Sequence, residues 1–175
     1  MGRSTPRARY FRRLAGFTLL EVLVASSILA FATLGLVQAV SAGQSQTYDA
    51  LRRARATALA DALLEEVLAK PYADPESETA LGPDSGESGR DDFDNLDDYH
   101  GFAETAGTLA DHSGALYAER FQRFERSVTI SPETVSIAEL GGGRSGMRVT
   151  VTVTESVDGA TGRSWTVTRF VPETP

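Results

Sequence analysis

Few residues in this chain could do chemistry, and their types narrow the reactions sharply. There is no cysteine, which removes thiol nucleophiles, thiolate zinc sites and disulfides together. The two histidines, His100 and His112, have no i, i+4 relation, so they do not form a helical zinc pair. A Ser-His-Asp set could be assembled from the composition, but no Gly-x-Ser-x-Gly elbow presents a serine for attack. Gly141, Gly142, Gly143 and Arg144 precede a strand-like run, not a helix, and read as a turn before they read as a phosphate cradle. Asp91, Asp92, Asp94, Asp97 and Asp98 lie close enough in sequence to suggest a hard cation, yet they lack the glycine and glutamate placement of an EF-hand loop. The stretch is read as a solvated acidic loop, with a packed turn of Asp97, Asp98, Tyr99 and His100 as the alternative. No catalytic residue, cofactor site or metal ligand is assigned, and the expectation is a protein without enzymatic activity.

One carboxylate needs a separate explanation. Glu21 is the only charge in residues 17–40, an otherwise apolar run about as long as the roughly 20 residues that span a bilayer. On insertion scales a carboxylate within such a helix costs about 2.5–3.5 kcal/mol, so something must offset it.

The elements that position Glu21 are legible. Before residue 17 stand Arg3, Arg7, Arg9, Arg12 and Arg13 with no acid, whereas the whole chain carries −7. A basic start ahead of an apolar span keeps the N-terminus cytoplasmic and sends the remainder across the membrane. The acidic remainder argues against a nucleic-acid binder. Residues 44–70 are rich in Ala, Leu, Glu and Arg, with Leu51, Ala58, Leu59, Ala62, Leu63 and Val67 at helical spacing, until Pro71 stops the pattern. No proline interrupts 17–70, so one helix can run through both blocks. Residues 71–117 read as an acidic loop region. From 118 to 175 three runs alternate apolar and polar residues, most clearly Val149, Val151 and Val153 with Thr150, Thr152 and Thr154, and the turn residues at 157–162 join the last two as a hairpin. The expected fold class is α+β: a long N-terminal helix packed on a small antiparallel sheet. Phe121, Phe124 and Trp165 are expected in its core.

The order of a basic leader, Gly16, then Phe17, Thr18, Leu19, Leu20, Glu21 and an apolar continuation resembles the type IV prepilin signal shared by type IV pilins and type II secretion pseudopilins. The resemblance implies that a prepilin peptidase removes residues 1–16 by cutting between Gly16 and Phe17, and N-methylates Phe17. It also answers the question of Glu21. Processing creates an ammonium at Phe17, and the Glu21 carboxylate of one subunit can pair with the methylated Phe17 of its neighbour when helices pack. Such a pair adds little net stability but fixes register, because a slipped helix leaves a charge unpaired in apolar surroundings. The small residues Gly35, Ala39 and Gly43, four apart on one stripe, permit the close approach this needs. Gln38 stands where major subunits of the family often carry a helix-bending proline.

Residues 58–76 and 91–102 resemble minor pilins of the mannose-sensitive haemagglutinin and pilus-modification type. The implied function is a minor structural subunit of a type IV pilus-like filament. Its implied partners are other pilin subunits, the prepilin peptidase and the inner-membrane assembly platform, with no nucleic acid and no cofactor. Its implied location is a single inner-membrane pass with a periplasmic head, followed by a pilus or pseudopilus. Two other readings stand beside it. A minor pseudopilin of type II secretion shares the start of the apolar run, though the middle of the chain is long for a minimal one. A soluble exported binding domain would follow if an ordinary signal peptidase cut after Ala32 or Ala42, and a single-span-anchored periplasmic domain if the chain kept its start at Met1.

Overall fold

In the computed structural model of the protein, the described residues are 16–73, 80–137, 142–157 and 160–173. Residues 1–15 of the leader, Gly141 and the turn residues 158 and 159 lie outside them. The chain divides into two compact units, 1–47 and 48–175.

One helix, α1 (Leu19–Leu68), begins in the first unit and continues into the second. Its start is set locally. The Thr18 hydroxyl accepts the Glu21 backbone N–H at 3.2 Å, capping a donor that the first turn cannot satisfy internally. Within the first unit four hydroxyls are also satisfied by the helix itself. Ser26, Ser27, Thr33 and Thr47 donate to the carbonyls four residues back, at 2.8, 2.8, 2.7 and 2.9 Å. These hydroxyls therefore need no water, which suits an apolar medium. The large side chains around them, from Leu19 to Val40, are exposed. The helix is long and apolar enough to cross a membrane. At its other end Ala69 and Lys70 close a last turn onto Glu65 and Val67, and Pro71 cannot extend it.

The second unit is a four-stranded antiparallel sheet in the order β1 (Ala103–Glu104), β2 (Phe124–Ile137), β3 (Gly142–Val157) and β4 (Ala160–Pro172). Alternation sets its faces. Phe124, Val128 and Ile130 of β2 and Val149, Val151 and Val153 of β3 are buried, with Val128 opposite Val151 and Ile130 opposite Val149. They meet Ala56, Leu59, Ala60, Leu63, Leu64 and Val67 of α1 in one core. Each such aliphatic side chain contributes about 1.5–3 kcal/mol by leaving water. The opposite face carries a hydroxyl ladder, with Thr154 and Ser164 3.0 Å apart and Thr152 and Thr166 at 3.4 Å. The expected α+β class is therefore the observed one.

Several details differ from the sequence reading. The buried helix face is 56, 59–60, 63–64 and 67, so Leu51, Ala58 and Ala62 are exposed although they share the helical spacing. The sheet lies beside only part of the helix circumference, and the true stripe is narrower than the apolar pattern. Gly142, Gly143 and Arg144 open β3 itself and pair with Ile137, Ser136 and Val135. Phe121 and Trp165 are only partly buried, whereas Phe124 is fully buried. The acid-rich stretch is not uniformly solvated. Asp91, Asp92 and Asp94 are exposed, but Asp97 and Asp98 are buried in a 3₁₀ turn, Asp97–Tyr99, as the alternative reading had it.

Candidate functional site

Two constellations of charge stand out. The first is the N-terminal segment. Gly16 and Phe17 are exposed ahead of α1, and Glu21 lies in the first helical turn. Thr18 and Glu21 stand in the Ser/Thr-x-x-Glu order of a capping box, a signal present in the sequence that identifies Thr18 as the residue fixing the helix start. An acid in a first turn gains about 0.3–1 kcal/mol from the helix dipole. That is well short of the insertion cost of about 2.5–3.5 kcal/mol. Among the described residues no side chain pairs with the Glu21 carboxylate, so its partner is not supplied by this part of the same chain.

The second constellation lies in the head. The register of β1 on β2 places Glu104 directly opposite Arg126. Arg126 has a fully buried side chain and donates through Nε to Glu104, through one terminal nitrogen to the Ala110 carbonyl, and through the other to the Leu59 carbonyl of α1 at 3.3 Å. Its guanidinium also lies 5.3 Å from the Tyr117 ring centre. Arg90 continues the chain of charges. It forks onto both oxygens of Glu66 on α1, reaches Glu104 at 3.4 Å and donates to the Ala110 carbonyl at 3.1 Å. The Tyr99 hydroxyl donates to Glu66 at 2.8 Å. Burial alone would raise the Glu66 carboxyl, but hydrogen bonds from Arg90 and Tyr99 and the attraction of Arg90 and Arg126 outweigh it and hold the group below its ordinary value. Burial and the Glu66 carboxylate push the Tyr99 hydroxyl up, so Tyr99 remains a donor. Glu66, Arg90, Glu104 and Arg126 thus join α1, the loop and the sheet.

The remaining sequence candidates have structural roles. His100 accepts the Ile130 N–H on Nδ1 at 3.1 Å, tying the 3₁₀ turn to β2. Phe93, Tyr99 and Phe102 pack edge to face with ring centres 5.0–6.2 Å apart, which explains why aromatics and acids interleave in 91–102. His112 lines a shallow cavity with Glu66, Lys70, Arg90 and Tyr117, and no histidine belongs to a metal-competent cluster among the described residues. Sequence reasoning missed the roles of Arg90 and Arg126, because a lone arginine in an acidic loop reads as solvated and nothing in a β-run marks an arginine as buried.

An apolar helix of membrane-spanning length, continuing onto a four-stranded antiparallel sheet, is a type IV pilin-like α+β arrangement. Residues 11–37 match the family described as the prokaryotic N-terminal methylation motif, so the chain carries a type IV pilin-like signal. The match ends within α1 and does not extend to the sheet. No curated protein and no solved structure matches the chain.

Proposed function

We propose that this chain is a minor structural subunit of a type IV pilus-like filament, processed between Gly16 and Phe17, N-methylated on Phe17 and assembled through its N-terminal helix. The observation that carries the reading is the methylation motif over 11–37, which runs into an exposed apolar stretch of α1 whose one carboxylate up to residue 40, Glu21, has no partner among the described residues. Glu21 of one subunit pairs with the methylated terminus of a neighbour, and the head presents its loops outward. The reading makes the chain a structural element, not an enzyme. Its partners are other pilin subunits, the prepilin peptidase and an inner-membrane assembly platform. The chain rests in the inner membrane with a periplasmic head until it joins a pilus. The same signal serves pseudopilins, and a type II secretion pseudopilus subunit is the reading that the start of the apolar run also supports.

The test is incorporation of Glu21→Gln into sheared filaments. The substitution removes the charge and keeps the shape, so membrane insertion and cleavage should persist while incorporation falls at least about tenfold, as expected when a buried charge loses its partner. Incorporation at the wild-type level would overturn the proposal. A mature chain beginning at Thr33 or Gly43 would favour the secreted binding domain instead.

A further inference from the structure

The acid-rich loop contains one point where carboxylates converge without a counter-charge. Glu87, Asp94 and Asp98 each bring an oxygen within 4.8 Å of the others. Among the described residues no arginine or lysine forms an ion pair with any of the three. Asp98 is fully buried. Its Oδ2 accepts the backbone N–H groups of Asp94 and Asn95, both at 2.9 Å, which fixes the carboxylate in place. Its Oδ1 is buried and receives no N–H or O–H from a neutral or cationic donor, and the group within hydrogen-bonding reach of this carboxyl is another acid, Glu87. A charged oxygen left in this state is costlier than an ordinary unsatisfied group.

The surroundings hold the cluster together and do not neutralise it. The Asp84 N–H donates to Glu87 Oε2 at 3.0 Å, and Ser88 donates to Asp92 at 3.1 Å, so the loop that carries Glu87 is braced by its own backbone. The Asn95 side chain accepts the N–H groups of Asp97 and Asp98, which anchors the 3₁₀ turn from the other side. The three groups are thus held near one another at an electrostatic cost that a cation would remove.

We propose that Glu87, Asp94 and Asp98 are the protein ligands of a calcium ion that pins this loop to the head. The donor set is all oxygen, which suits a hard cation and gives zinc none of the nitrogen or sulfur it prefers. Calcium binds oxygen at about 2.3–2.6 Å, so its ligands can lie up to about 5 Å apart across the ion, and the cluster already meets that limit. Magnesium needs a tighter, near-octahedral shell of about 2.0–2.1 Å. Glu87 is half-buried and Asp94 exposed, leaving water free to complete a shell of about 6–8 oxygens. The spacing of these three residues matches no EF-hand order, so only the fold brings them together. The proposal is independent of the filament reading.

The test uses the full chain in detergent micelles, stripped with chelator and titrated with calcium chloride in a calorimeter. Thermal unfolding follows in calcium or in magnesium chloride. One site with a dissociation constant of about 1 mM or tighter is expected, with a rise of several degrees in Tm at about 5 mM calcium and a smaller response to magnesium. Asp94→Asn and Glu87→Gln alter groups that reach solvent, and each should keep the native Trp165 fluorescence while weakening calcium binding about tenfold or more. Asp98→Asn should abolish binding, and where that buried variant fails to fold the other two decide. Absence of heat and of any Tm change at about 10 mM calcium would overturn the proposal. Undiminished binding by Asp94→Asn and Glu87→Gln would also overturn it.

Discussion

Replacing Glu104 with glutamine tests whether the head is held by a charge network or merely decorated by one. Glu104 accepts from the fully buried Arg126, from Arg90 at 3.4 Å and from the Ala110 N–H at 3.1 Å. At an effective dielectric of 20, two unit charges 3.4 Å apart attract by about 5 kcal/mol. Glu104 also recovers its own desolvation cost once neutral, so the net loss should match that of a broken buried pair, about 3–5 kcal/mol. Arg126→Met is milder. Glu104 then keeps Arg90 and the Ala110 N–H, the Ala110 carbonyl keeps Arg90, and the uncompensated losses are the bond to Leu59 and the contact with Tyr117. A cost of about 1–2 kcal/mol is expected. In the double variant no buried cation is stranded at position 126, so its cost should fall below the sum of the two by about 2 kcal/mol. The assay is urea unfolding of the full chain in micelles, read by Trp165, the only tryptophan, whose ring lies 6.2 Å from the buried Phe124. Glu104→Gln within about 1 kcal/mol of wild type, or strict additivity of the pair, would refute the reasoning.

Two further outcomes follow from the same geometry. The Glu66 carboxyl sits below its ordinary 4.5 in the folded head, so the fold binds fewer protons there than the unfolded chain, and the stabilisation is full above that value and lost as pH falls through the folded value. The stability gap between wild type and Glu66→Gln should therefore be about 2 kcal/mol at pH 7 and shrink below about pH 4.5, and a gap that stays constant on acidification would exclude this role. Gly146→Ala should cost about 3 kcal/mol in the same urea assay, because the new Cβ would meet the Val171 carbonyl and lie 2.7 Å from the Phe170 ring where β3 pairs with β4. A loss under about 0.5 kcal/mol would mean that the strand end moves aside freely.

The parts of this fold that were legible in the sequence are those where pattern and environment repeat. The valine–threonine alternation of 149–154 became a strand with one face in the core, and the uninterrupted stretch ahead of Pro71 became one helix. The acidic block was harder to read because acids and core aromatics alternate within 91–102. Composition averages them, while the fold sends Phe93, Leu96 and Tyr99 inward and draws Asp97 and Asp98 in with them. The two-residue strand β1 carried no periodicity, yet its register is what sets Glu104 against Arg126. At the N-terminus the reverse holds. Glu21 was conspicuous in sequence as a lone acid, and the fold leaves it conspicuous, since the helix satisfies the hydroxyls of Ser26, Ser27, Thr33 and Thr47 and not this carboxylate.

No side chain of α1 before Ala56 is buried. Substitutions in 19–47 are therefore nearly invisible to anything that inspects whether the head is folded, whether a protease, a spectrometer or a cellular quality-control system. A variant there could pass every such inspection and still fail in use. Whatever restrains the composition of that stretch must come from the medium and the neighbours that surround it.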